Sequence, residues 1–295
     1  MPRHRRLKQA EFIHFFAELP TMTALDDLLQ SYRNAAVTER EKGTYLERLA
    51  CAFLTADPVQ VEEYSQVWTW SDWSTETGRN AKDIGIDLVA KLRNEEGFAA
   101  IQCKFYAAKH RIQKADINSF LAASGKNPFV RRVVIDTTEV DWGDNAEATI
   151  AGQSIPVVRL SLTHLRESPI DWTLFGIKGE AVLTAKKTLR PHQIEALDAV
   201  RAGLAEADRG KLIMACGTGK TFTSLKIAED LIGKGGRVLF MVPSLALMSQ
   251  TVREWTNDTD TPLSAGARAS LSSAQRTNSA RSLRRFGDRV VSTRS

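Results

Sequence analysis

The positions of apolar residues predict helices and strands that gather around one sheet in the first part of the chain. Helical spacing of apolar residues is found in EFIHFFAEL, in TALDDLLQSY with Thr23 as its N-cap, and from about residue 38 to 55. Short alternating or apolar runs predict strands in SQVWTW, in both arms of DIGIDLVAKLRNEEGFAAIQCK, in VRRVVIDT and in VVRLSL. Two more helices are predicted, at about residues 113–124 and 144–151. This mixture is typical of an α/β fold.

The pattern becomes irregular between about residues 163 and 187, which predicts a connector. A helix (RPHQIEALDAVRAGLAEA), a strand (KLIMA), a Gly-rich turn, a helix (TFTSLKIAEDLI) and a strand (RVLFMVP) follow. Strand, helix and strand in this order form a βαβ unit, so a second, parallel sheet is expected to begin here. The end of the chain is rich in Ser, Ala and Arg without apolar periodicity, which predicts disorder.

These patterns divide the chain into five expected segments. They are an N-terminal helical segment (1–35), a first α/β domain (36–165), a connector (166–187), a second α/β unit (188–262) and a disordered Arg/Ser-rich tail (263–295).

Composition favours a soluble cytoplasmic protein without membrane contact. The chain has 295 residues, 43% of them hydrophobic and 25% charged. No apolar run approaches the roughly 18 residues of a membrane span, and the basic N-terminus is not followed by a secretory apolar segment. The three cysteines stand alone, without metal-ligand spacing, as expected for thiols in a reducing compartment.

The net charge of +5 does not by itself indicate a nucleic-acid partner. Residues 263–295 contain seven Arg and one acidic residue. Without them, 33 basic and 34 acidic side chains remain, a formal balance of −1. The basic character therefore belongs to the predicted tail and says little about the folded domains.

The hairpin of residues 83–104 carries polar groups that a hairpin does not need. With the turn at 94–97, a symmetric register would place Asp87 opposite Lys104. Alternation along the strands places Asp87, Gln102 and Lys104 on one face. The other face is then apolar: Ile86, Leu88, Ala90 and Leu92, with Ile101, Cys103 and Phe105.

A carboxylate, an amide oxygen and an ammonium on one patch fit metal-assisted phosphodiester hydrolysis. Mg²⁺ prefers oxygen ligands, activates water and neutralises charge on phosphorus. A lysine can orient or deprotonate that water, or hold the phosphate. The alternative is a half-exposed hairpin with a cross-strand ion pair of well under ~1 kcal/mol.

These residues resemble the PD-(D/E)xK nucleases, most closely their Mrr-like restriction endonuclease branch. The matching segments are GID at 85–87, QCK at 102–104 and KGTYLERLA, which supplies Glu47 four residues after a glycine. The resemblance implies a mixed sheet flanked by helices, with Asp87 and Glu47 at a Mg²⁺ ion. It also implies Gln102 as a neutral ligand or positioning group, and Lys104 as the catalytic lysine.

The segment ACGTGKT, residues 215–221, has the form of a phosphate-binding loop between a strand and a helix. Its backbone N–H groups can cradle phosphates, Lys220 can reach the β and γ oxygens, and the Thr221 hydroxyl can ligate Mg²⁺. Met214 stands where the strict motif has its first glycine.

This loop and its neighbours resemble motif I and adjacent motifs of superfamily-two helicases. LRPHQIEAL is similar to the adenine-contacting motif, with Gln193 as the candidate, and VPSLALMSQT is similar to motif Ia, a DNA-backbone contact. The resemblance implies a partial RecA-like lobe that binds ATP. Its expected contacts are Gln193, Gly217, Thr218, Gly219, Lys220 and Thr221.

No acidic residue after Thr221 ends an apolar strand, as the second acidic motif of such a motor would require. ATPase activity is therefore doubtful, and the chain is expected to be a truncated or frameshifted form of a restriction helicase-nuclease such as the type ISP enzymes. The predicted function is a Mg²⁺-dependent endonuclease of double-stranded DNA joined to an incomplete ATP-binding lobe. Because two strands must be cut, a homodimer on DNA is also expected. The alternatives are a non-catalytic ATP- or DNA-binding fragment and a small P-loop ATPase.

Overall fold

Local sequence signals set where the first helices begin. Thr23 and Thr38 each accept a backbone N–H three residues further on, and the acidic side chain at that position closes the reciprocal bond. Asp57 caps the third helix, which has Pro58 at its first position.

The structure is a computed structural model that describes residues 22–80, 82, 85–261 and 263. In chain order the elements are α1 (Ala24–Ala35), α2 (Glu39–Ala56), α3 (Pro58–Glu63), β1 (Tyr64–Thr69), α4 (Trp70–Glu76), β2 (Leu88–Leu92), β3 (Phe98–Lys104), α5 (Lys114–Ala123), β4 (Phe129–Asp136), α6 (Asp144–Ala151), β5 (Val157–Leu160), α7 (Leu162–Arg166), α8 (Trp172–Lys178), α9 (Pro191–Glu206), α10 (Lys220–Ile232) and α11 (Leu245–Asp258).

The described strands form one mixed sheet in the order β1-β2-β3-β4-β5. The pairs β1–β2 and β2–β3 are antiparallel, whereas β3–β4 and β4–β5 are parallel. The parallel connections run through α5 and α6, as parallel neighbours require a crossover. The predicted mixed sheet flanked by helices is confirmed.

Each face of the sheet is covered by its own helices. Apolar side chains of one face pack against α1, α2, α7 and α8, and those of the other face pack against α4, α5 and α6. The β2 and β3 residues divide between the two faces by alternation, with Leu88, Ala90 and Ile101 on the α2 side and Val89 and Ala100 on the α5 side. The hairpin is therefore buried on both faces, unlike the half-exposed hairpin of the alternative interpretation.

The register of the hairpin differs from the symmetric one. Leu88 pairs with Ile101, so the position opposite Asp87 is that of Gln102, and not that of Lys104. The predicted alternation also fails before β2, because Ile86 packs on the α5 side of the sheet instead of with Leu88. The break follows Gly85, whose φ of +86° turns the chain as it enters the strand.

Part of the predicted connector, residues 166–187, packs into the hydrophobic core on the α1 and α2 side of the sheet. Ile170, Trp172 and Phe175 are buried against the α1 and α2 side of the sheet. Gly176 lies close to Leu28, where an added Cβ would stand 3.1 Å from its Cδ1. The apolar residues of this stretch therefore extend the first domain, which sequence irregularity concealed.

In the second unit α9 and α10 form as predicted, but the strands do not. The segments KLIMA and RVLFMV take no strand structure in the part of the chain that is described. A strand exists only through backbone hydrogen bonds to a neighbouring strand. Here Ile213 is 90% exposed and Leu239 is 85% exposed. The predicted helix EFIHFFAEL and the predicted disordered tail lie outside the described residues, apart from Leu263.

Within the described ranges, no helix is both long enough and apolar enough to cross a membrane.

Candidate functional site

Asp87 lies directly before β2, where β2 and β3 cease to pair. Its backbone N–H donates to the Ile101 carbonyl, and its own carbonyl accepts the N–H of Trp70, both at 2.9 Å. Its side-chain Oδ2 accepts the backbone N–H of Cys103 at 2.6 Å. The carboxylate thus takes the place of a backbone carbonyl at the end of the ladder, and β3 fixes its orientation.

Gln102 faces this position with one polar atom satisfied and one not. Its Nε2 donates to the Gly85 carbonyl at 3.1 Å. Its Oε1 is buried and has no hydrogen-bond partner among the described residues. The residue is only 3% exposed, so burying this oxygen without a hydrogen-bond partner costs folding free energy, and a bound ligand could remove that cost. Gly85 lies tight against α5, since an added Cβ would stand 3.0 Å from Ser119 Oγ.

Glu47 and Lys104 approach the same end of β3. The pKa of the Cys103 thiol is raised well above its usual range by burial and by the charges of Asp87 and Glu47, while Lys104 acts in the opposite direction. Three charged side chains therefore act on one thiol: Glu47 from α2, Lys104 from β3 and Asp87 from the position before β2. The structure thus brings together all four residues that sequence predicted for the nuclease site.

The donors at this point suit a hard divalent cation. Carboxylates of Asp87 and Glu47 and the amide oxygen of Gln102 are the oxygen ligands that Mg²⁺ takes, together with several waters. In the described residues no group of three or more His, Cys, Asp or Glu side chains is placed to hold a metal. Any cation here would therefore depend on the unpaired amide oxygen as well as on the two carboxylates.

A buried ion pair beside Lys104 was not predicted. Asp136 is the neighbour of Lys104 in the β3–β4 ladder and is fully buried. Its carboxylate accepts two hydrogen bonds from Arg159, at 2.7 and 3.1 Å, and one from the Trp142 indole at 3.3 Å. The pair fixes the end of β4, next to the lysine. In the sequence, the only indication of this ion pair is that Asp136 ends the apolar run of RVVID.

The Gly-rich loop opens α10 as a phosphate-binding loop does. Gly217 and Gly219 have φ of +77° and +81°, and Gly219 is the N-cap of α10. The Lys220 amine donates to the carbonyls of Met214 and Ala215, at 3.3 and 3.0 Å, so it lies folded over the loop. The Thr221 carbonyl accepts the indole N–H of Trp255 at 3.0 Å.

Gln193 holds the loop from the side. Its Nε2 donates to the Thr218 carbonyl at 3.0 Å, and its Oε1 accepts the backbone N–H of Arg190 at 2.9 Å. Beside it lies a cavity of about 400 Å³, large enough for a nucleoside. The cavity is lined by predicted nucleotide contacts (Gln193, Gly217, Thr218 and Gly219) and by Lys187, Thr188, Arg190, Phe222 and Glu254.

Two protein families match the chain, one after the other. Residues 55–182 match a restriction endonuclease family, and residues 186–283 match the family described as type III restriction enzyme, res subunit. The first match contains Asp87, Gln102 and Lys104 and begins after Glu47. No curated protein matches the chain.

Solved structures of restriction enzymes resemble the chain to different degrees. The chain is 37% identical to the ATP-dependent type ISP restriction-modification enzyme LlaBIII bound to DNA, with a TM-score of 0.64. That match covers 81% of this chain, which spans about 15% of the length of LlaBIII. The DNA modification-dependent restriction endonuclease AspBHI is 16% identical, with a TM-score of 0.34 over 69% of this chain and 45% of its own. MspJI, solved with an oligonucleotide, is 16% identical, with a TM-score of 0.29 over 48% of this chain and 30% of its own.

Proposed function

This chain joins a restriction endonuclease domain to a helicase-like domain, and on that premise we propose that it is a Mg²⁺-dependent endonuclease of double-stranded DNA. The observation that carries the proposal is the buried, unpaired Oε1 of Gln102 beside Asp87. An apolar or fully paired side chain would be more stable there without a cation.

Each residue of the site has a distinct part in this function. Asp87 and Glu47 would hold the cation with their carboxylates, and Gln102 would add its neutral oxygen. Bound Mg²⁺ would supply an activated water and neutralise charge on the phosphate. The Lys104 ammonium would hold the scissile phosphate and orient the water.

The basic loop after β3 supports DNA as the substrate. Lys109, His110 and Arg111 follow Lys104 closely in the sequence and are exposed in the loop before α5. Such side chains contact phosphates without reading bases. Arg111 also pairs with Asp144 and His110 lies 3.7 Å from Asp116, so the loop is anchored to the N-terminal turns of α5 and α6.

For the second domain we propose ATP binding without efficient hydrolysis by this chain. Restriction endonuclease and helicase-like families generally use a divalent metal and ATP. Lys220 would exchange the loop carbonyls for phosphate oxygens, Thr221 would contact Mg²⁺, and Gln193 borders the cavity for the base. The chain lacks an acidic strand end to position the attacking water.

Cleavage of plasmid DNA tests the nuclease. We expect Mg²⁺-dependent nicking or linearisation by the wild type and its loss in Asp87→Ala and Lys104→Ala. Lys91→Ala is the matched control, because Lys91 is an exposed lysine on the same hairpin. Equal cleavage by all four proteins would point to a contaminating nuclease. Absence of cleavage in the wild type would instead favour a non-catalytic DNA- or ATP-binding role.

We also propose that the protein acts in the cytoplasm as a homodimer on DNA, with one nuclease site for each strand. Sedimentation of the protein on a DNA duplex tests whether it binds as a dimer.

A further inference from the structure

The helix α11 lies between the two domains and contacts each with a different face. It packs against α10 of the helicase-like domain and against α3 of the endonuclease domain. Arg253 and Trp255 are two residues apart, which places them about 200° apart around the helix. They therefore point to opposite sides.

The face of Trp255 is fixed to the phosphate-binding loop. The indole N–H donates to the Thr221 carbonyl at 3.0 Å, and the ring packs with Phe222 and Leu225 of α10. Thr251, one turn earlier on this face, is buried as well. Asp258, at the end of the helix, pairs with Lys187 at 2.8 Å.

The face of Arg253 is fixed to the endonuclease domain. Its guanidinium pairs with Glu167, which follows α7, and also interacts with Asp57, the N-cap of α3. Asp57 is only 4% exposed. Burial raises the pKa of Asp57 and lowers that of Arg253, and their mutual attraction opposes both shifts. The oxygen Oδ1 of Asn257, one turn further on this face, is enclosed without a partner among the described residues.

On its other side α3 is tied to the hairpin that carries Asp87. Arg93, just after β2, donates to the Val61 carbonyl at 2.8 Å and to the Tyr64 carbonyl at 3.2 Å. Asn94 donates to the Glu62 carbonyl at 3.2 Å. The helix α3 therefore touches α11 at one end and the nuclease hairpin at the other.

We propose that α11 is the joint that fixes the endonuclease domain to the helicase-like domain, with Arg253 as its contact on the nuclease side and Trp255 as its contact on the nucleotide side. A helix clamped on two opposite faces transmits a displacement of the phosphate-binding loop to α3. Removal of either contact should therefore change the domain on that side of the helix, and these effects test the joint.

Hydrogen exchange of the whole chain tests the joint without Mg²⁺, ATP or DNA, so its result is independent of the nuclease proposal. Arg253→Ala should speed amide exchange in α3 by roughly tenfold or more, because it removes the ion pair with Glu167 and the positive charge that stabilises the buried Asp57 carboxylate at the N-cap of α3. The control is Arg201→Ala, which breaks an ion pair with Asp230 inside the helicase-like domain. That variant should leave α3 unchanged.

Two further variants separate a joint from general damage. Arg253→Lys keeps a positive charge and should retain most of the protection of α3. Trp255→Phe keeps a ring but loses the bond to Thr221, so it should loosen the first turn of α10 while α11 stays helical. Unchanged exchange of α3 in Arg253→Ala would overturn the proposal. Equal loosening of α3 and α10 in both Arg253 variants would do so as well.

Discussion

The side chain of Asp87 accepts the backbone N–H of Cys103 at 2.6 Å, and this bond closes the β2–β3 ladder where a backbone carbonyl would normally do so. One carboxylate therefore serves two purposes. It ends the strand pairing as a hydrogen-bond acceptor, and it brings a negative charge to the position opposite Gln102. The two purposes can be separated by mutation, because the first needs an oxygen and the second needs a charge.

Asp87→Asn should preserve the fold and abolish cleavage. The amide oxygen can still accept from Cys103, whereas the lost charge removes a metal ligand, so we expect at least about 100-fold slower cleavage with little change in Tm. Asp87→Ala should lose both, with a further destabilisation of about 1–2 kcal/mol from the unpaired N–H. Plasmid cleavage and thermal unfolding are measured on the same preparations. An active Asp87→Asn enzyme would show that the charge is not needed.

The sequence indicated which polar residues of the hairpin lie near one another better than it indicated their register. Asp87, Gln102 and Lys104 stand out because buried strands seldom contain such polar groups, and their assignment to a nuclease site stays a prediction. The register was wrong by two positions, because the turn is centred between Asn94 and Glu95, one residue earlier than predicted. The role of the Gly85 carbonyl in orienting Gln102 depends on a contact across the hairpin, which residue spacing does not reveal.

The fold shows the same division between local and non-local information. The bounds of α6 (Asp144–Ala151) and the N-cap at Thr23 follow from neighbouring residues and could be read directly. The local sequence pattern places Trp172 and Phe175 in a connector. It cannot reveal their packing, because their partners lie on α1 and α2, more than a hundred residues away. The strands predicted around KLIMA and RVLFMV needed pairing partners, and no local pattern can supply them.

Replacing Gln102 by Glu should strengthen metal binding and weaken the metal-free protein. A carboxylate adds charge toward the cation, but it cannot donate to the Gly85 carbonyl as the amide does. We expect a loss of about 1–3 kcal/mol in stability without metal and a larger rise in Tm on adding Mg²⁺. Gln102→Met, similar in size, should show almost no rise. Identical metal-dependent shifts in all three proteins would place the cation elsewhere.

Nucleotide binding should depend on Gln193 and Lys220 in different ways. Lys220→Ala removes the amine that would meet the phosphates, so ATP and ADP should both bind at least about tenfold more weakly. Gln193→Ala frees Thr218 and removes a group beside the cavity, so adenine nucleotides should weaken while binding of inorganic pyrophosphate changes little. Competition against a fluorescent ATP analogue measures both. Arg201→Ala is the control, because Arg201 is not among the residues that line the cavity.

The three cysteines should differ strongly in reactivity. Cys216 is exposed in the phosphate-binding loop and should react first with an alkylating reagent. Burial raises the pKa of Cys51, and burial together with Asp87 and Glu47 raises that of Cys103 further, so both thiols should react slowly at neutral pH. Mass spectrometry of timed samples gives the order, and ATP should protect Cys216 alone. Fast labelling of Cys103 would contradict the arrangement of charges around it.

The contribution of Asp26 to folding stability, through its ion pair with Arg166, should decrease at acidic pH. Burial alone would raise the pKa of Asp26, but hydrogen bonds from Arg166 and Thr23 outweigh it and lower the pKa below 3.8. A lowered pKa in the folded state means that stability is gained above the ordinary value and is lost as the pH falls through the folded value. Asp26→Asn should therefore cost about 1 kcal/mol at pH 7, and the difference from wild type should shrink as the pH falls below 3.8. Urea unfolding at pH 7 and at a series of pH values below 3.8 measures this. The exposed Asp27, next to it in the same helical turn, provides the control Asp27→Asn, which should cost less than Asp26→Asn at pH 7. A difference that stays constant throughout the acid series would mean that Asp26 acts through packing and not through its charge.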